Sequence, residues 1–396
     1  MFLIKCHFFI FSQHFYLAHK MIASDNVFFH FLQPQFRIII ASLIAASFNT
    51  YAISVIIRIT RAKQLYYNIN VGMPPSKSIS VFGGLGIFIT IVSVCLTFIN
   101  TCGMYGGCNT GSLTSLPPII AGFTLIFFLG FKIDLLNISP YKKITAELLA
   151  LVILIVIGDV RLNSMQGMFN IGELSYSVSI ILSLMAGIVI INAFNMIDSI
   201  DGLAISITIL GCIVFGSYFI LISELEYAVL SFTILGTLVP NLYYSFFVKT
   251  TKIILGDTGS LLLGFAMTVL VFRFNQTNSL PSVGPVFAAA PAFSFSVILL
   301  PVFTTLWVFT LRSIYRSKYS FKEDRRHIHN IILNLGCTHL QSTLLLSFIN
   351  LAFIAFAYFF NFLGNSILVY IMITAALFLS TLAIWLQHNK LYSSPK

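Results

Sequence analysis

Long apolar segments alternate with short polar segments along most of the chain. A helix needs about 20 apolar residues to cross the hydrocarbon core of a bilayer. The pattern therefore predicts an all-α integral membrane protein, a polytopic bundle of about eleven transmembrane helices. The predicted spans are 37–58, 81–101, 117–133, 144–160, 176–194, 203–222, 226–246, 252–273, 288–312, 342–363 and 365–386.

Composition agrees with lipid as the solvent for this chain. Of the 396 residues, 58% are hydrophobic and 9% are charged, and the mean hydropathy is +0.95. A soluble domain carries about 25% charged residues, so this chain could not cover a water-facing surface. The net charge of +10 does not indicate nucleic-acid binding, because the basic residues are scattered in short loops between apolar segments.

The spans form one transmembrane domain over residues 37–390, and the status of residues 1–36 is left open. This N-terminal segment is rich in Phe and His and lacks the small-residue cleavage site of a signal peptide, and Met21 is an alternative start. The six cysteines show no metal-ligand spacing. Cys102 and Cys108 share one loop and could form a disulfide if that loop faces an oxidising compartment.

Lysine and arginine are distributed unequally between the two membrane faces. We call side A the face that carries the loops after spans 1, 3, 5, 7 and 9 and the C-terminal tail. Side A holds 17 of the 22 basic residues. Because cytoplasmic loops carry an excess of Lys and Arg, side A is expected to be cytoplasmic. The N-terminus is then outside and the C-terminus inside, and side B is expected to carry little besides turns.

Acidic and amide side chains gather at one span end on side A. The segment 192–202 places Asn192, Asn195, Asp198 and Asp201 at every third position, followed by a glycine. Three-residue spacing does not build one helix face, so the helix is expected to end near Asp198. An alternative interpretation is an ordinary capped helix end followed by a turn. Capping would account for one aspartate, but not for two amides and two carboxylates in one short segment. Such a segment can present oxygens to a hard cation and a polar substrate.

A second polar segment opens the eighth predicted span on the same side. It reads Gly-Asp-Thr-Gly-Ser over residues 256–260. Asp257 could cap the helix, and the free backbone N–H groups of the first turn suit a phosphate oxygen. By itself the segment is equally consistent with ordinary capping.

Two further side-A loops carry charge. Residues 324–330 contain Arg325, His327 and His329, which could grip a pyrophosphate or simply form a basic loop drawn to anionic lipid. Residues 134–143 hold one carboxylate and two lysines, a pattern that an ordinary helix stop with snorkelling lysines would also produce. Four such segments on four loops of one side indicate a site for a nucleotide diphosphate with Mg²⁺.

These motifs resemble those of the polyprenyl-phosphate N-acetylhexosamine-1-phosphate transferases, a glycosyltransferase 4 family. The resembling motifs are Asn-x-x-Asn-x-x-Asp-x-x-Asp-Gly, Gly-Asp-x-Gly-Ser and Asp-Arg-x-His-x-His, in that order, within about residues 60–340. The match is greatest to the branch that uses UDP-GlcNAc and undecaprenyl phosphate. The resemblance implies an enzyme of the bacterial inner membrane, with a periplasmic N-terminus and a cytoplasmic active site.

The resemblance also implies a reaction and a set of roles. Undecaprenyl phosphate, the acceptor, would attack the β-phosphorus of a UDP-N-acetylhexosamine donor and release UMP, with Mg²⁺ or alternatively Mn²⁺ as cofactor. The oligomeric state stays open. The implied catalytic residues are Asp134, Asp198, His327 and His329, the implied substrate-binding residues are Asn192, Asp201, Lys143 and Arg325, and the implied metal ligands are Asp257 and Asn195.

The chain departs from the family pattern at three places. Ile133 stands where the family usually has the first of two adjacent aspartates, and Asn330 where it usually has a histidine. The segment 73–80 keeps only Lys77 of the usual charged residues. A catalytically impaired homologue therefore stays an alternative to an active enzyme. A lipid-linked sugar transporter is a second alternative, although transporters place polar groups near the bilayer midplane.

Overall fold

The computed structural model describes most of the predicted transmembrane region. The described residues are 34–63, 79–80, 82–104, 116–136, 138–248, 252–279, 287–314, 332 and 335–393.

Eleven α-helices occupy these described residues. Nine of them are long and apolar enough to cross a membrane by length and composition, α2 is apolar over Gly83–Phe98, and α4 is a shorter helix. The chain is thus an integral membrane helical protein, while eleven crossings and the orientation of the termini stay predictions. The helices are α1 Pro34–Lys63, α2 Gly83–Met104, α3 Leu116–Leu135, α4 Pro140–Val152, α5 Tyr176–Ile197, α6 Leu203–Leu221, α7 Leu225–Phe246, α8 Gly256–Asn278, α9 Ala290–Ile314, α10 His339–Phe359 and α11 Asn365–Ser393.

Two predicted spans differ from the helices in an informative way. The predicted span 144–160 begins late and changes helix type, because α4 starts at Pro140 and continues at Val152 into a π-helical segment over Ile153–Ile157. The predicted span 252–273 begins too early, because residues 252–253 form a short strand and α8 runs to Asn278. Polar residues at the far end of α8 are buried against neighbouring segments, which a hydropathy pattern cannot detect.

Helix α8 lies at the centre of the bundle. It is buried over 89% of its spanning window, and it packs against α2, α3, α5, α6 and α9. Lipid is as apolar as a leucine side chain, so helices in a membrane associate through close packing at small residues. The backbones of α8 and α5 approach at Gly264, where an added Cβ would lie 2.7 Å from Ile191 Cα.

A two-residue parallel bridge joins the segments that precede α2 and α8. Strand β1 (Ile79–Ser80) pairs with β2 (Lys252–Ile253). Beyond the bridge, Gly83 N donates to Ile254 O at 3.2 Å and Gly84 N donates to Leu255 O at 3.1 Å. These bonds hold the first turns of α2 and α8 side by side at the side-A end of the bundle.

Side B carries more than turns, contrary to the expectation from the sequence. Arg273 donates from Nη2 to both carboxylate oxygens of Glu224 at 2.9 Å, and its guanidinium lies 4.8 Å from the ring centroid of Tyr227. Both partners of the ion pair are largely withdrawn from solvent. This pair fastens the turn between α6 and α7 to the side-B end of α8, and it is distant in sequence from the polar segments of side A.

Candidate active site

The motif 192–202 ends one helix and begins the next, as the sequence predicts. Helix α5 ends at Ile197 and Asp198 occupies the C-cap position. Gly202 then adopts φ +74°, immediately before α6 begins at Leu203. An added Cβ at Gly202 would lie 2.6 Å from the Phe246 ring, so both the left-handed backbone and the crowding require glycine there.

Asn195 is the centre of a hydrogen-bonded chain that joins three helices. Lys143 Nζ, on α4, donates to Asn195 Oδ1 at 2.5 Å. Asn195 Nδ2, on α5, donates to Asp257 Oδ1 at 2.6 Å and to Ser260 Oγ at 2.9 Å, both on α8. A cation, an amide and a carboxylate from three elements are thereby held at one place. The bonds that join Asn195 to the Lys143 ammonium and to the Asp257 carboxylate are of the stronger, charge-assisted kind.

Glu147 lies one helical turn beyond Lys143 on α4 and holds the other amide of the motif. Asn192 Nδ2 donates to Glu147 Oε2 at 2.6 Å. Glu147 is fully buried, and its second oxygen, Oε1, has no hydrogen-bond partner among the described residues. The sequence analysis assigned no role to this residue. The sequence feature that could have revealed Glu147 is the Lys-x-x-x-Glu spacing, which places both side chains on one face of α4.

Asp134 contacts the first turn of α8. Its Oδ1 accepts from the backbone N–H of Asp257 at 2.8 Å, and its Oδ2 accepts from the backbone N–H of Thr258 at 3.1 Å. The Thr258 hydroxyl donates to the same Oδ2 at 2.5 Å. Two expectations for this turn are therefore wrong. Asp257 does not cap the helix, since the N-cap position belongs to Leu255 and has no side-chain bond, and the N–H groups expected to be free for phosphate already donate to Asp134.

Negative charge accumulates around Asp198. Withdrawal from water raises the pKa of the Asp198 carboxyl well above its ordinary value, and the nearby charges of Asp201, Asp257 and Asp134 raise the pKa further. Like charges at short range disfavour ionisation of the most enclosed group. A cation bound between these groups would relieve that repulsion.

Asp201 faces the beginning of α10. Its backbone carbonyl accepts from the Thr343 hydroxyl at 2.8 Å, and its Oδ2 lies 3.5 Å from His339 Nδ1. Helix α10 begins with a capping box between Thr338 and Gln341, which fixes the direction in which the chain enters the helix. The turn after α5 is thus joined to a helix that lies more than a hundred residues further along the chain.

The carboxylates suit a hard divalent cation that shares its ligands with a substrate. Within the described part of the chain, no three histidine, cysteine or carboxylate side chains come close enough to hold a metal by themselves. Mg²⁺ is commonly bound by one or two carboxylates, with waters and substrate phosphates completing the shell. Asp257 Oδ2 and the Asp198 carboxylate accept no hydrogen bond from the described residues and could serve in this way. Asn195 presents its oxygen to Lys143 in this arrangement, and its assignment as a metal ligand stays a prediction.

Seven of the ten site residues expected from the sequence lie together at the side-A end of the bundle. The other three, Arg325, His327 and His329, lie outside the described residues, as do Asn330 and the possible Cys102–Cys108 pair. The structure adds residues that the sequence analysis did not assign. These additions are Glu147, Thr258, Ser260 and His339.

Comparison with known proteins identifies the same part of the chain. The family model described as Glycosyl transferase family 4 matches residues 116–275, which extend from α3 into α8 and include the hydrogen-bonded chain through Asn195. Relatives align over a longer stretch at low identity. A Bacillus subtilis protein described as a probable undecaprenyl-phosphate N-acetylglucosaminyl 1-phosphate transferase is 24% identical over 278 residues, which are 68% of this chain and 70% of the relative.

Enterobacterial relatives carry a similar description. An Escherichia coli K12 protein, described as an undecaprenyl-phosphate alpha-N-acetylglucosaminyl 1-phosphate transferase, is 24% identical over 272 residues, covering 68% of this chain and 69% of the relative. A Yersinia pestis protein with the same description is 26% identical over 272 residues. Together with the motifs at the side-A end of the bundle, these matches show that the chain is similar to glycosyl transferase family 4 proteins.

Proposed function

We propose that this protein transfers an N-acetylhexosamine-1-phosphate, with GlcNAc as the first candidate sugar, from a UDP-sugar to undecaprenyl phosphate and releases UMP. An oxygen of the acceptor phosphate attacks the β-phosphorus of the donor, and the bond from that phosphorus to the bridging oxygen breaks. The products are the undecaprenyl diphosphate-linked sugar and UMP. The reaction would begin the assembly of a lipid-linked polysaccharide of the cell envelope.

The observation that carries this proposal is the chain of contacts from Lys143 through Asn195 to Asp257. A fixed ammonium lies near a carboxylate with one oxygen that accepts no hydrogen bond from the described residues. Together they supply what a diphosphate requires, a cation for its oxygens and a ligand for its counter-ion. Phosphoryl transfer depends mainly on such positioning and charge stabilisation. The acceptor phosphate is already largely ionised at neutral pH, so its attack needs no strong base.

The descriptions of the relatives support the choice of substrates. The Bacillus and Escherichia relatives are described by an undecaprenyl phosphate acceptor and an N-acetylglucosaminyl 1-phosphate group. We extend both to this chain as part of the proposal, because the family-model match over residues 116–275 covers the segments from α3 to α8 that form the site.

The residues of this chain would have the following roles. Lys143 binds a phosphate oxygen of the donor, with its ammonium oriented by Asn195. Asp257 and Asp198 would hold Mg²⁺, which offsets the negative charge of the diphosphate when bound. Asp201 and Asn192 would contact the nucleotide portion. Arg325, His327 and His329 would approach the diphosphate from the loop before α10.

The proposal includes an orientation. Side A is cytoplasmic in the bacterial inner membrane, because it carries most of the basic residues. A cytoplasmic site would have access to soluble UDP-sugars, while the acceptor phosphate approaches from the inner leaflet.

The test is release of UMP by the purified full-length protein in lipid nanodiscs, with Mg²⁺, undecaprenyl phosphate and a panel of UDP-N-acetylhexosamines. The wild type should release UMP only when the acceptor is present, and Asp257→Asn should abolish release. Asp159→Asn is the matched control, since this exposed aspartate lies on side B and pairs with Arg161. Absence of UMP with every donor would refute the enzyme, and full activity of Asp257→Asn would refute the site.

A further inference from the structure

We propose that Asp134 is a positioning residue, whose carboxylate caps the first turn of α8 and so fixes Asp257. The inference rests on the proposed transferase function for its catalytic consequence. It differs from the role that the family resemblance implies for this residue.

The geometry of the cap carries the proposal. The first N–H groups of any helix have no partner within the helix, and the partial positive charge there favours an anion. The described residues place Asp134 in this role, since it accepts from the backbone N–H groups of Asp257 and Thr258. The helix has no other side-chain cap at this end. The Thr258 hydroxyl completes the cap by donating to Asp134 Oδ2.

The backbones around the cap are in close contact. Gly130 lies one turn before Asp134 on α3, and an added Cβ there would lie 2.9 Å from Thr258 N. On the opposite side, an added Cβ at Gly84 would lie 2.7 Å from Thr258 Cβ. Two glycines thus let α2 and α3 close on the first turn of α8, and Asp134 is the polar group that fastens the contact. These contacts fix the backbone conformation of Asp257, because Asp257 belongs to the turn that α2 and α3 enclose.

The same contacts occupy most of the Asp134 carboxylate. A carboxylate has about four acceptor positions, and three of them are used by the donors of α8. The neighbouring Ile133 packs against the apolar core, so it leaves no carboxylate beside Asp134. The acceptor phosphate does not need one, since it is already ionised.

Amide hydrogen exchange of the full-length protein in nanodiscs tests the cap without relying on activity. The peptide covering residues 255–260 should exchange slowly in the wild type and at least tenfold faster in Asp134→Asn, with the later turns of α8 unchanged. Thr258→Val, which keeps the side-chain volume and removes one of the three bonds, should accelerate exchange by a smaller factor. Thr258→Ser keeps the hydroxyl and should restore wild-type exchange.

Kinetics then separate positioning from proton transfer. Asp134→Asn and Thr258→Val should both lower kcat and raise the Mg²⁺ concentration required for half-maximal rate, while the shape of the pH profile stays that of the wild type. Thr258→Ser should rescue both quantities. Loss of one limb of the pH profile in Asp134→Asn, with unchanged exchange over residues 255–260, would overturn the inference.

The two proposals fail in different ways. If the wild type releases no UMP with any donor, the transferase function fails, and the exchange experiment still decides whether Asp134 caps α8. If UMP is released and exchange is unchanged in both variants, the cap is wrong and the transferase function stands.

Discussion

The substitution Asn195→Ala tests the centre of the candidate site. It removes the acceptor of the Lys143 ammonium and the donor to Asp257, which bond to Asn195 at 2.5 and 2.6 Å. A hydrogen bond to a charged group contributes about 1.5–3 kcal/mol, so the two together contribute about 3–6 kcal/mol. Since about 1.4 kcal/mol corresponds to a tenfold change in rate, we expect kcat/KM to fall by about 10²–10⁴-fold.

The assay for Asn195→Ala is UMP release at saturating and limiting donor, in the same nanodiscs as the wild type. Asn350→Ala is the matched control. Asn350 is a buried asparagine of α10 whose Nδ2 donates to Val297 O at 3.1 Å, so its removal costs an interhelical bond without touching the site. The control should unfold at a lower temperature and keep its rate per folded molecule.

Two results would refute the reasoning behind this prediction. If Asn195→Ala retained more than half of the wild-type kcat/KM, the chain from α4 to α8 would not matter for the reaction. If Asn350→Ala lost as much activity per folded molecule as Asn195→Ala, the effect would reflect general destabilisation of the bundle.

Three further substitutions test other parts of the structure. Glu147→Ala removes the charged acceptor of the Asn192 amide, which keeps only its bond to the Ile188 carbonyl, and should reduce stability by about 1.5–3 kcal/mol, measured by chemical unfolding in detergent. Glu147→Gln keeps a side-chain acceptor and should retain most of the stability. Gly130→Ala places a methyl group against the backbone of Thr258 and should lower the free energy of unfolding by about 1–3 kcal/mol. It should also remove much of the UMP release. Wild-type stability and activity would contradict the close approach of α3 and α8. Glu224→Gln removes the charge partner of the enclosed Arg273 and should lower the free energy of unfolding by up to about 3–5 kcal/mol, the cost of a broken buried pair. The rate per folded molecule should stay unchanged because the pair lies on side B.

Much of the helical framework could be read from the sequence. Apolar runs of bilayer length predicted helices close to those observed, because each helix satisfies its own backbone and needs only an apolar surface toward lipid. The end of α5 at Asp198 was predictable for a local reason, since a glycine at position 202 permits the left-handed turn that starts α6. The grouping of polar segments on one side followed from counting alternate crossings.

The contacts within the site could not be read in this way. Asn195 meets Lys143 and Asp257, which are 52 and 62 positions away in the chain, and Asp134 meets α8 across 123 positions. Such pairings depend on how each helix is rotated about its axis and how closely two backbones approach. The sequence pattern of an almost uniformly apolar helix such as α8 carries little information about rotation.

The sequence by itself therefore determined a membrane-embedded helical protein with its polar chemistry gathered at one end, because hydropathy and local turn geometry act within short segments. The tertiary structure alone decided what each polar group does there. It directed the Asp134 carboxylate at the first turn of α8 and placed the buried Glu147 carboxylate against Asn192. Among the described residues, it left Asp257 Oδ2 and the Asp198 carboxylate without a hydrogen-bond donor. The physical reason is that a hydrogen bond requires atoms within about 3 Å, a distance that helix packing sets.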